Sequence, residues 1–141
     1  MKHFVDEIVI TTTSGLEFFD ITEKVEICLK KSGIQNGFLT VFTQHTTTAV
    51  IVNEKEPKLQ KDMIQFLNRI APPGQNYGHD KNPQDGRLNA HSHLQTFLLP
   101  ASQLIPFVEG KMKLGQWQKI FFIECDGPRP KRQLTIQVIG L

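Results

Sequence analysis

Residues 38–52 read FLTVFTQHTTTAVIV, and the pattern of this stretch decides the class of fold. Phe38 to Phe42 alternates in the manner of a strand, Ala49 to Val52 is apolar throughout, and Gln44 to Thr48 between them is polar. A period of two sends successive side chains to opposite faces, so the stretch reads as two strands joined at a polar corner.

Working towards the N-terminus, Glu7 to Thr13 and Leu16 to Ile21 are β-rich around Ser14-Gly15, the pattern of a hairpin. Asp20 followed by Glu23 forms a capping box for a helix, on which Ile21, Val25, Cys28 and Leu29 share one face until Gly33 ends it. Towards the C-terminus, Pro57 suits a first helical turn, and Leu59, Met63, Phe66, Leu67 and Ile70 recur at helical spacing, which predicts a core helix over 57–70. Ala71 to Leu88 is rich in Pro and Gly and poor in apolar residues; a loop this long inside a domain is more often functional than filler. A short helix over 90–99 and strands at 104–108, 117–125 and 134–139 complete the reading, with turns at Glu109-Gly110 and Asp126-Gly127-Pro128. Strands and helices mix without a regular βαβ rhythm. The expected fold is therefore α+β, a single domain over residues 1–141 with a mixed, mainly antiparallel sheet system and two main helices.

At 141 residues and 39% hydrophobic content the chain can build one core, burying about 68% of its extended surface without a disulfide or structural metal. Any metal would serve function. Sixteen Lys and Arg against fourteen Asp and Glu leave a net charge of +2, with both signs scattered, which argues against a nucleic-acid binder resting on clustered positive charge. Cys28 and Cys125 form no CxxC or disulfide pattern. Met1 to Ile10 has no apolar signal core, and no run approaches the roughly 18 apolar residues of a membrane span, so a soluble cytoplasmic protein is expected.

Three of the five histidines, His79, His91 and His93, fall within fifteen residues at the long loop and its exit. Imidazole is the commonest side-chain metal ligand, and three together could leave a fourth position open on one ion; alternatively they are polar surface residues. His45, followed by Thr46, Thr47 and Thr48, sits at the polar corner, where an imidazole can carry protons and hydroxyls can grip an anion or simply satisfy nearby backbone. Asp126 and Arg129, just past Glu124 and Cys125, stand on a turn suited to orienting a histidine or binding phosphate. Trp117 is expected in the core, and Lys119, Lys131 and Arg132 along a solvated strand edge. P-loop, Rossmann and Gly-x-Ser-x-Gly patterns are absent.

Five runs, in this order and spacing, carry a resemblance that spans nearly the whole chain. They are Gln44-His45-Thr46-Thr47-Thr48-Ala49, Asn53-Glu54 with Glu56-Pro57, Asn89-Ala90-His91-Ser92-His93-Leu94, Leu114-Gly115-Gln116-Trp117-Gln118, and Asp126-Gly127-Pro128-Arg129. The chain resembles the YjbQ-like family, also called secondary thiamine-phosphate synthase enzymes. The resemblance implies a homotrimer with polar sites near subunit contacts. It also implies His79, His91 and His93 as metal ligands, His45 as proton carrier or further ligand, and Asp126 as an orienting carboxylate. Thr46, Thr47 and Arg129 would hold phosphate.

The family name implies joining a pyrimidine-methyl diphosphate to a thiazole phosphate. Diphosphate departure is normally helped by Mg²⁺ held through carboxylates and water, whereas clustered histidines suit a divalent transition ion, zinc first. Three functions follow as expectations: a transferase of the thiamine-phosphate type, a histidine-metal hydrolase of a small phosphorylated compound, and a non-catalytic trimer binding metal or metabolite.

Overall fold

The computed structural model describes residues 1–141. In chain order the elements are β1 (Lys2–Thr12), β2 (Glu17–Asp20), α1 (Thr22–Ser32), β3 (Gly37–Thr43), β4 (Thr48–Glu54) and α2 (Pro57–Ile70). A 3-10 turn (Gly78–Asp80), α3 (Ala90–Phe97), β5 (Ser102–Val108), β6 (Lys111–Met112), β7 (Gln118–Glu124) and β8 (Arg129–Gly140) follow. The strands form two sheets, one in the order β1-β8-β3-β5-β6 and one in the order β2-β7-β4. Every pair is antiparallel, giving the expected α+β class.

The polar corner is where the chain changes sheet, since β3 belongs to the larger sheet and β4 to the smaller. The inner face of the large sheet, through residues such as Leu39, Val41, Ile136 and Phe107, packs with Val50, Ile120 and Phe122 of the small one, and α1 adds Ile21, Val25, Cys28 and Leu29. The opposite face of the small sheet buries Ala49, Phe121, Ile123 and Cys125 against Leu16, Phe18 and Leu99. Strand β7 is thus covered on both faces. That explains why Ile120 to Ile123 is an unbroken apolar run instead of an alternating one.

The hairpin expected around Ser14-Gly15 does not form. β1 runs beside β8, from Lys2 opposite Gly140 to Thr12 opposite Arg129, while β2 pairs with β7 in the other sheet. The connection is bent by Glu17, whose carboxylate accepts hydrogen bonds from the backbone N–H groups of Thr13 (2.8 Å) and Ser14 (3.1 Å). It is pinned from the other side by the turn after β7. A Cβ on Gly127 would stand 2.0 Å from the Ser14 carbonyl oxygen, so only glycine lets the two turns meet. The capping box of α1 is replaced by a local turn in which Asp20 accepts from both the N–H and the hydroxyl of Thr22.

Helix α2 starts as read, with Pro57 in its first turn and the Glu56 carboxylate accepting from the Leu59 N–H. Its apolar stripe is not core: only Leu67 is buried, and Phe66 is 54% exposed. Periodicity shows that a helix has an apolar face but not what covers it. Two further readings are corrected. Trp117 is 66% exposed, in the turn leading into β7, and Arg132, on β8, is buried against Glu124 of the other sheet. Because one side-chain cap holds the α2 N-terminus, Glu56→Ala is expected to cost about 1 kcal/mol, measured by urea denaturation.

Candidate functional site

The corner between β3 and β4 is closed by its own polar groups. The His45 N–H lies 3.5 Å from the Thr43 hydroxyl, the Thr43 and Thr48 hydroxyls are hydrogen-bonded, and Thr48 Oγ1 donates to the His45 carbonyl at 3.2 Å. This ring of contacts fixes the backbone that carries the His45 side chain. The Nε2 of that side chain accepts the Gln133 N–H of β8 at 2.9 Å. A ring nitrogen that accepts carries no proton, so the His45 tautomer bears its proton on Nδ1.

Behind the corner lies a charged network that the sequence did not disclose. Arg132, on β8, donates from Nε and Nη2 to the two oxygens of Glu124 on β7, both at 2.7 Å, and Glu124 is 0% exposed. The same carboxylate accepts from the Thr12 hydroxyl (2.9 Å) and the Asp126 N–H (2.9 Å). Each oxygen has two donors, so Glu124 is a structural anion and has no lone pair poised for a base. Arg132 Nη2 also donates to Thr47 Oγ1 at 2.9 Å. Thr47 is buried and engaged there, whereas Thr46 is exposed and lines a cleft.

A second chain of contacts ties the long loop to the turn after β7. His79 Nε2 and Asn89 Oδ1 are 3.1 Å apart, and Asn89 Nδ2 donates to Asp126 Oδ2 at 2.8 Å. Asp126 is gripped from both sides, by Arg87 Nη2 (3.1 Å) and Arg129 Nη2 (2.8 Å). Burial alone would raise its carboxyl, but the hydrogen bonds from Asn89, Arg87 and Arg129 outweigh this and hold it below the ordinary 3.8. Of the arginine's groups, Arg129 Nε and Nη2 are spent on Asp126. Asp80 adds a parallel tie by accepting the Ala90 N–H at the start of α3 (3.0 Å).

His79 and His93 meet edge to face, with ring centroids 4.9 Å apart. They line a cleft of about 520 Å³ with Lys81, Asn82, Gln84 and Asp85, and with Gly78 and Pro83. His93 also lines a second cleft of about 490 Å³ with His45, Thr46, Thr96, Phe42 and Phe97. His93 is therefore the hinge between the two, with His79 on one side and His45 on the other. His91 lines neither cleft. Two residues along a helix turn about 200°, which sends His91 away from His93, and its Nδ1 is buried without a partner. No three His, Cys, Asp or Glu side chains converge to hold a metal within this one chain.

Burial, then the charge of Arg132, pushes His45 below its ordinary 6.5; burial, then the neighbouring His79, does the same for His93. Both rings are neutral at pH 7, the form that binds metal. Between 6.5 and the lower folded-state values the unfolded chain holds more protons, so this contribution is complete above 6.5 and lost as the pH falls through that window. Stability measured by urea denaturation is thus expected to decline as the pH drops below 6.5, and less steeply in a His45→Gln variant. The two thiols are inert: burial, with Glu124 next, pushes Cys125 up to about 12, and burial, with Asp6 next, pushes Cys28 up to about 11.

The sequence singled out His45, His79, His91, His93 and Asp126, of which the structure brings His79 and His93 together and leaves His91 apart, and it did not mark the parts played by Asn89 and Arg132. Asn89 stood inside a quoted motif with no chemistry of its own to mark it. The charge of Arg132 suggested solvent.

Comparison with known proteins gives one consistent result. A family model described as UPF0047 protein YjbQ-like matches residues 6–141. A UPF0047 protein of Methanothermobacter thermautotrophicus is 42% identical over 99% of this chain and 94% of its own length. UPF0047 protein YugU of Bacillus subtilis is 34% identical over 93% and 96%. Among solved structures, a YbjQ-like protein of unknown function from Sulfolobus solfataricus superposes with a TM-score of 0.94 at 36% identity, covering 99% of both chains.

Proposed function

The chain belongs to the UPF0047 YjbQ-like family, and from the geometry around His93 we propose that it is a small enzyme acting on a phosphorylated metabolite with a divalent transition ion, zinc first. The observation that carries this reading is the His79–His93 pair, ring centroids 4.9 Å apart, on the wall of a cleft rich in polar side chains. Two imidazoles are the donor set that a zinc-type ion prefers over Mg²⁺, which asks for carboxylates and water. Asp85 is the only carboxylate among the residues lining that cleft. His79 and His93 would hold the ion, and such an ion supplies Lewis acidity at a phosphoryl oxygen.

The chain's own groups supply the rest. Lys81 and Asn82 bring a positive charge and amide donors to the cleft wall. His45, neutral and protonated on Nδ1, offers a hydrogen bond from the second cleft, where the Thr46 hydroxyl can join it. Arg129 keeps N–H groups beyond the two given to Asp126 and is the remaining phosphate donor. Hydrolysis of a small phosphoester is the reaction these parts suit best.

A second reading, transfer between two phosphorylated fragments in the thiamine-phosphate manner, is favoured by one specific feature: two clefts of similar size meet at His93. Each could hold one fragment. Self-association as a homotrimer is part of the proposal, supported by the apolar residues that the large sheet leaves exposed on its outer side, Val5, Val9, Phe38, Phe42, Leu104 and Val108 among them. No helix is long and apolar enough to cross a membrane, and two unpaired cysteines suit a reducing cytoplasm.

Metal analysis of the purified protein, with a phosphoester panel assayed with and without chelator, tests the first reading. Stoichiometric zinc with chelator-sensitive turnover is expected; turnover indifferent to chelator, or none with metal bound, would overturn it. Growth of a strain lacking its main thiamine-phosphate synthase, restored by the parent and not by His45→Ala, would support the second.

A further inference from the structure

We infer that Asn89 is the positioning residue of this site: it locks His79 in the tautomer protonated on Nε2 and so leaves Nδ1 as that ring's only free lone pair. The inference rests on the reading that His79 serves the polar cleft, and goes beyond it by naming which nitrogen does so and what enforces the choice.

The argument starts from Asp126. This carboxylate faces two guanidinium groups, at 3.1 and 2.8 Å, and a carboxylate so placed stays ionised and can only accept hydrogen bonds. The Asn89 atom 2.8 Å from it must therefore be the amide nitrogen, the end that donates. The other end of the amide is then necessarily oxygen, and it lies 3.1 Å from His79 Nε2. Oxygen accepts, so Nε2 must carry the proton. The orientation of Asn89 thus follows from the charge behind it and needs no observation of hydrogens.

The Asn89–Asp126 link is sheltered, with Asn89 5% and Asp126 8% exposed, so water competes poorly for it and rotation of the amide would face two oxygens against each other; His79 itself stands exposed at the cleft and owes its orientation to that buried amide. The loop on which His79 rides is held at the same place by Asp80, which accepts from the Ala90 N–H. His45 is set the opposite way, with its Nε2 occupied by a backbone N–H. The two rings that flank His93 therefore differ in kind: His79 presents a lone pair on Nδ1 and His45 a proton on Nδ1.

The test reads the ring nitrogens directly. In ¹⁵N-labelled, metal-free protein above neutral pH, proton–nitrogen correlation is expected to show the His79 proton on Nε2, protected from solvent exchange. Asn89→Ala should lose that protection and bind zinc about 10- to 100-fold more weakly in competition with a chromophoric chelator. A proton on Nδ1 in the native chain, or protection unchanged in Asn89→Ala, overturns the inference. Should Asn89→Ala fail to fold, the native spectrum still decides by where the proton sits. A native chain that binds no zinc yet shows the protected Nε2 proton would sink the metal reading and leave the role of Asn89 standing. A purely architectural asparagine would lower the Tm on substitution and leave the His79 spectrum alone.

Discussion

Arg132→Met is expected to lower the stability of the chain by about 3–5 kcal/mol, measured as the free energy of urea unfolding at neutral pH. The substitution removes Nε and Nη2, the donors to both oxygens of Glu124, and leaves a carboxylate that is 0% exposed with only the Thr12 hydroxyl and the Asp126 N–H. An uncompensated buried charge is far more costly than an exposed pair, whose loss costs about 1 kcal/mol or less. The pair also bridges the two sheets, since Glu124 ends β7 in one and Arg132 lies on β8 in the other. Neutralising the carboxylate as well, in Arg132→Met with Glu124→Gln, should recover much of the loss, because no buried charge is left and the amide oxygen can still accept from the Asp126 N–H while its NH2 faces the Thr12 hydroxyl oxygen. A single-variant loss of about 1 kcal/mol or less would show that the network behaves as a surface pair, and a double variant as unstable as the single one would place the cost in lost packing instead.

That network illustrates what the amino-acid pattern could and could not convey. Ile21, Val25, Cys28 and Leu29 were legible as one buried face because helical spacing and burial are the same statement about a regular element. The strand–corner–strand reading of residues 38–52 held for the same reason, since alternation reports a face. Alternation does not report a partner. The hairpin at Ser14-Gly15 was misread because β1 and β2 each pair with a strand more than a hundred residues away, and nothing local distinguishes that from a tight turn. Trp117 and Arg132 were misplaced by arguing from residue type alone: the indole stands in solvent and the guanidinium is enclosed. Among the clustered histidines, helical spacing separates His91 from His93 only once residues 90–97 are known to be a helix. Asn89 was invisible because its role lies in joining His79 to Asp126, a relation between residues far apart in sequence.

The second large effect is expected at His93 and falls on binding. Each protein ligand of a zinc ion contributes on the order of 3 kcal/mol, about a hundredfold in affinity, and here His93 is one of only two imidazoles that meet. His93→Ala should therefore weaken zinc binding by about that factor, read by competition with a chelator. Its stability should change little, since the ring stands at the junction of two open clefts. His91→Ala is the informative comparison. Both histidines lie on α3, two residues apart, so any damage to the helix itself would be shared, whereas only His93 faces His79. Loss of zinc in His93→Ala with affinity kept in His91→Ala would locate the ion between α3 and the long loop. The reverse result would place it on the side of α3 where the His91 Nδ1 is buried without a partner, and would require a ligand set that a single copy of the chain does not bring together. Because His93 lines both clefts, its removal should also abolish either phosphoester hydrolysis or transfer, while His45→Ala, which leaves the His79–His93 pair intact, should impair turnover and spare the metal. A variant pair that divides in this way separates holding an ion from using it.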